Sequence, residues 1–88
     1  MALSSEEIFS RVVAILVREF GVSADEISMQ TNLEADLDLD SLDAVALASW
    51  VEEDLGLALT DDEIEQMRSV DQIVAVISAR LHALEKAG

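Results

Sequence analysis

At 88 residues the chain has the size of one domain, and with no cysteine it can build neither a disulfide framework nor a thiolate metal site. Its 19 acidic and 5 basic residues give a net charge of −14, which disfavours nucleic acid and anionic membrane as partners and favours basic patches on other proteins. No apolar run approaches the roughly 18 residues of a membrane span, and the opening MALSSEE lacks the basic region and apolar stretch of a secretory leader, so a cytoplasmic protein, as a monomer, is expected.

The first helix is announced by Ser4-x-x-Glu7, a capping box. Ile8, Val12, Ile15, Leu16 and Phe20 follow at helical spacing, and Gly21 suits the left-handed residue that ends a helix, which places the helix at about 5–20. Residues 22–39 read as a long, mostly polar loop, with turn formers at Ser23, Asp25, Ser28, Thr31 and Asn32. Val22, Ile27, Leu33 and Leu37 are spaced to pin it to a core. A loop of this length is functional or carries a short turn of its own.

The second helix is expected over 41–55, with Asp40 as its N-cap and Gly56 as its stop. At about 100° per residue, Ala44, Leu47, Ala48, Val51 and Leu55 form the core stripe. Asp43, Ala46, Trp50 and Glu53 lie along a further flank. Thr60-x-x-Glu63 is another capping box and opens a short third helix, about 61–67. Ser69-x-x-Gln72 caps the last helix, whose inner face is Ile73, Val74, Val76, Ile77 and Leu81.

Charge is not spread evenly. No Lys or Arg stands between Arg18 and Arg68, and twelve acidic residues from Glu34 to Glu65 fall within that gap. Inside it, DLDLDSLD (residues 36–43) sets a small hydroxyl, Ser41, in the first turn of the second helix, where nothing calls for its burial. Leu42 beside it offers an apolar grip. The Asp36-x-Asp38-x-Asp40 spacing also suggests a calcium loop, but an EF-hand needs Gly and Glu where Ser41 and Leu47 stand, so no metal site is expected.

Asp40-Ser41-Leu42-Asp43, with Leu33-x-x-Asp36-Leu37 before it and Val51-Glu52-Glu53-Asp54-Leu55-Gly56 after it, resembles the acyl carrier protein family. The resemblance spans about residues 6–81. It implies an all-α, four-helix bundle of three long helices and one short one with a long first loop, as a single free-standing carrier domain over 1–88. It also implies a protein with no catalytic residues of its own, bearing covalent 4′-phosphopantetheine from coenzyme A on Ser41, with Asp40 and Leu42 alongside. Acyl groups then travel as thioesters on the arm, in fatty acid or related lipid biosynthesis. The implied partners are a phosphopantetheinyl transferase and acyl-processing enzymes with basic patches, met by Asp43, Val45, Ala46, Trp50, Glu52 and Glu53. Leu33, Leu47, Val51, Leu59, Ile64, Met67, Ile73 and Ile77 are the candidates to line an acyl pocket.

Three positions depart from the family pattern. Asp38 stands where members usually carry Gly, Ala46 where they often carry Glu, and Thr60 where they often carry Pro. The loss of an acid at position 46, near Trp50, changes the face that meets enzymes and points to a specialised carrier, for polyketide or aminoacyl cargo, as the alternative. A more distant alternative is an acidic helical interaction module with no prosthetic group.

Self-repulsion within the acidic segment predicts that added salt or millimolar divalent cation raises the melting temperature. A melting temperature insensitive to both, measured by circular dichroism, would refute this.

Overall fold

The computed structural model describes residues 3–87, with side chains through residue 84; Met1, Ala2 and Gly88 lie outside it. The described chain is all-helical: α1 (Ser5–Phe20), α2 (Leu33–Leu37), α3 (Ser41–Leu55), α4 (Asp61–Glu65) and α5 (Val70–Ala87). Helix α1 packs on α5 and α3, and α4 lies against α3. The core they enclose is aliphatic, with Ile8, Ile15, Leu16, Leu47, Met67, Ile73 and Ile77 among its largest side chains.

Local chemistry sets the helix ends. In α1 the Glu7 amide donates to Ser4 Oγ at 3.2 Å and the Ser4 amide to Glu7 Oε1 at 3.0 Å. The Ser4 amide holds the Glu7 carboxyl below its ordinary pKa, because a donor stabilises the ionised form. Gly21 takes the left-handed conformation (φ 67°) that closes the helix. Helix α4 begins with the Thr60–Glu63 box, and Glu63 Oε1 also accepts from Arg80 of α5 at 2.5 Å. The Thr60 amide first, and Arg80 second, lower the Glu63 pKa. Thr60, at a position where Pro is common in the family, thus serves as a cap.

Two features differ from the sequence expectation. The long first loop contains a helix of its own, α2, and a 3-10 turn at Ala24–Glu26. Five residues give too short an apolar stripe to register as helical periodicity. The expected third helix stops at Glu65 rather than 67, because the Gln66 and Met67 amides bond three residues back and tighten the turn. Met67 is thereby driven into the core at the turn itself.

The loop is tied to the turn before α5 by backbone hydrogen bonds. The Leu33 amide donates to the Arg68 carbonyl, Val70 to Thr31 and Asp71 to Met29, each at 2.9 Å. Buried Thr31 completes the tie, its Oγ1 accepting from the Ser28 amide at 2.7 Å and donating to the Glu26 carbonyl. Ile27 and Leu33 are buried beneath it, and Val22 and Leu37 pack at its edge.

Asp38 is the one described non-glycine residue with positive φ (57°), at the C-terminal end of α2, where its amide donates to the Glu34 carbonyl at 3.1 Å. The family's usual Gly suits this conformation, and Asp bears a steric cost there. Asp38→Gly is expected to stabilise the fold by ~0.5 kcal/mol, and the β-branched Asp38→Val to destabilise it by ~1–2 kcal/mol. Urea titration checks both, with Asp38→Asn as the control for lost charge.

Candidate functional site

The acidic run before α3 is spent largely on backbone. Asp36 Oδ2 accepts the Asn32 amide at 2.7 Å, and Asn32 Oδ1 in turn accepts the amides of Glu34 and Ala35, which starts α2. Asp40 Oδ1 accepts the Asp43 amide at 3.0 Å, and Asp43 Oδ2 accepts the Asp40 amide at 3.1 Å. This is a capping box with aspartate at both ends. Asp43 was expected only as a partner contact; the shorter acid at that position hid its capping role, for which Glu or Gln is the usual signature.

With the cap supplied by its neighbours, Ser41 is left exposed at the first helical position, and among the described residues no side-chain hydrogen bond engages its hydroxyl. Leu42 is 79% exposed beside it. Ser41 also lines a cleft of about 710 Å³ between the first turns of α3, helix α2 and the end of α4. Leu33, Leu39, Val45, Ile64 and Met67 give this cleft its apolar wall, and Glu34, Asp40, Glu65 and Arg68 its charges.

The eight pocket candidates therefore divide. Leu33, Ile64 and Met67 reach the cleft. Leu47, Val51, Ile73 and Ile77 are fully buried in the core behind it, and Leu59 is buried in the segment between α3 and α4. None of those five lines the cleft beside Ser41 in this conformation.

The six partner-face candidates also divide. Val45 and Trp50 are exposed, Trp50 at 38%, and Ala46 is half-buried; with Leu42 and Ser49, which are not among the six, they form a largely uncharged strip along the outer side of α3. Glu53 is exposed beyond its far end. Glu52 faces inward instead: it is half-buried and its Oε2 accepts the Leu59 amide at 2.7 Å, holding the segment that leads to α4. Asp54 pairs with Arg11 of α1 at 3.1 Å. Sequence reading missed Arg68, because only the tertiary turn brings it to the same cleft as Ser41.

Comparison with known proteins agrees with this geometry. The family profile described as "Phosphopantetheine attachment site" matches residues 10–77. The chain is 36% identical over 80 residues to the acyl carrier protein of Coprothermobacter proteolyticus, covering 91% of this chain and 98% of that one. It is 35% identical over 79 residues to that of a Picosynechococcus species (90% and 98%), and 31% identical over 80 residues to that of Petrotoga mobilis (91% and 94%).

The site's chemistry fits the group. A free hydroxyl at the start of a 15-residue helix can take a phosphodiester, the first-turn amides and helix dipole favour the added anion, and an adjoining cleft leaves room for what the arm carries. The match over most of its length makes the chain a member of the acyl carrier protein family, carrying acyl groups on covalently attached 4′-phosphopantetheine.

Proposed function

We propose that Ser41 is the attachment residue and that the chain works as one carrier domain, a substrate of other enzymes and not itself a catalyst. The observation that carries this reading is the exposed Ser41 hydroxyl in the first turn of α3, a turn that Asp40 caps, beside the cleft. In the loading reaction a bond forms between Ser41 Oγ and the β-phosphorus of coenzyme A. The pyrophosphate P–O bond breaks and adenosine 3′,5′-bisphosphate leaves. The serine proton passes to the transferase, which also supplies the metal, since phosphoryl transfer rests on positioning and charge neutralisation that this chain does not provide. The group's terminal thiol supplies the thioester chemistry. Asp40 and Asp43 hold the helix turn that presents the hydroxyl, and exposed Leu42 gives the transferase an apolar contact.

The cleft beside Ser41 is the proposed entry for cargo, with Leu33, Ile64 and Met67 as its first apolar contacts. Longer chains reach Leu47, Val51, Leu59, Ile73 and Ile77 only if the helices part. Aliphatic packing with 3% aromatic content opposes this weakly. Asp43 and Glu53 are proposed to draw basic patches towards α3, chiefly through the rate of association.

The uncharged strip on α3 favours a second, narrower reading: a carrier devoted to one pathway. Trp50 is proposed as the apolar anchor that selects its enzyme, since tryptophan is enriched among residues that dominate binding energy.

Incubation with coenzyme A and a broad-specificity transferase is expected to add one phosphopantetheine to the wild type and none to Ser41→Ala, read by intact-protein mass. Modification that survives in the alanine variant would sink the assignment. Trp50→Ala is expected to cost about 1 kcal/mol of stability, against the ~3–5 kcal/mol of a core aromatic. The same change is expected to weaken binding to the cognate enzyme at least tenfold by titration calorimetry, and unchanged affinity would remove Trp50 from the recognition face.

A further inference from the structure

Among the four arginines, three have partners. Arg11 pairs with Asp54 at 3.1 Å, Arg18 with Glu19 at 2.7 Å, and Arg80 with Glu63 at 2.5 Å. Arg68 alone has no carboxylate at ion-pair distance among the described residues, although it borders the most acidic part of the chain. It is the one cationic residue lining the cleft that holds Ser41. Glu34, Asp40 and Glu65 line the same cleft, and none of them pairs with it.

The backbone of Arg68 is fixed. Its amide donates to the Gln66 carbonyl at 3.0 Å and to Gln72 Oε1 at 3.3 Å, and its carbonyl accepts from Leu33 at 2.9 Å. Met67 beside it is anchored in the core. The side chain thus springs from a rigid base with its head exposed and all five guanidinium donors unclaimed by protein among the described residues. A guanidinium in this state is suited to a planar or tetrahedral oxyanion, which it can meet with two parallel hydrogen bonds.

We propose that Arg68 binds an anionic oxygen that the attached arm brings to the cleft: either the phosphodiester on Ser41 or a carboxylate on the cargo. The proposal rests on Ser41 as the attachment residue. It gives the cleft a polar specificity beyond its apolar wall. A neutral acyl chain engages only Leu33, Ile64 and Met67, whereas an acid-bearing cargo also engages Arg68. The surrounding acids set the selectivity, since Glu34 and Glu65 repel any anion that does not reach the guanidinium.

The test uses the full chain in four forms: apo, holo, and loaded with hexanoyl or succinyl groups from the corresponding coenzyme A thioesters. Intact mass of wild type and Ser41→Ala first establishes that each group sits on Ser41. Loading that does not depend on Ser41 overturns the attachment reading, and this one with it. Phosphorus NMR of the holo form, and the titration of the carbon-13-labelled succinyl carboxylate, are then compared between wild type and Arg68→Gln. Arg68→Gln and Arg68→Lys both leave the backbone bond to Leu33 available, and equal melting temperatures verify the fold.

A phosphorus shift that changes in Arg68→Gln and returns towards wild type in Arg68→Lys identifies the phosphodiester as the anion. A succinyl carboxylate pKa about one unit lower in wild type than in Arg68→Gln identifies the cargo. Either result supports the proposal. With Ser41 loaded, a phosphorus shift and a carboxylate pKa that are both the same in wild type and Arg68→Gln overturn it, leaving Arg68 as a solvated surface charge.

Discussion

The reciprocal pair of hydrogen bonds between Asp40 and Asp43 is the contact on which the rest of the site depends. A helix N-terminus must find partners for its free amides, and the usual way is for a small polar residue at the start to fold back over the first turn. Here the residues before and after Ser41 do that work. The serine is spared from capping, so its hydroxyl faces outwards at a position whose backbone is rigid. Stability and availability, which compete at most exposed hydroxyls, are assigned to different side chains. The same acids give the chain its charge, so the groups that hold α3 in shape also set the field that an approaching enzyme meets.

Much of the frame was legible because each long helix carries its own boundary marks. Ser4 and Glu7, Thr60 and Glu63, and the two left-handed glycines Gly21 and Gly56 mark ends that the structure places within a residue or two. These are local rules, and local rules survive without knowledge of the fold. Helix α2 escaped because five residues cannot display a period of 3.6. Its cap, Asn32, looked like one more turn former among several. The inward turn of Glu52 escaped for a different reason: its partner is the backbone amide of Leu59, seven residues on, and nothing in either side chain advertises the pairing.

The candidate site was legible in its centre and less so at its margins. Ser41 and Asp40 stand next to each other in the chain, so the motif and the geometry are the same fact. The cleft wall is assembled from three separate stretches of the chain, and periodicity reports only that a residue is apolar, not which of two apolar neighbours faces a void. Hence Ile64 and the core residue Met67 border the cleft while Ile73 and Ile77, equally apolar and nearby in sequence, do not. Along α3 the sequence pattern found the buried residues Leu47, Ala48 and Val51, because a single helix has one simple geometry, but it set Glu52 on the wrong side.

The bond between the Leu33 amide and the Arg68 carbonyl has a mechanical consequence. It stitches α2 to the turn between α4 and α5, so these two walls of the cleft are held to each other. Widening the space between these two would break that stitch and leave a backbone donor and acceptor without partners, beneath residues that are already buried. The segment that leads into α3 is stitched as well, since the Leu39 amide donates to the Leu33 carbonyl at 2.9 Å. Leu33 is therefore the shared fastening of the cleft's walls, and room for a guest has to come from shifting side chains unless one of these backbone bonds is given up.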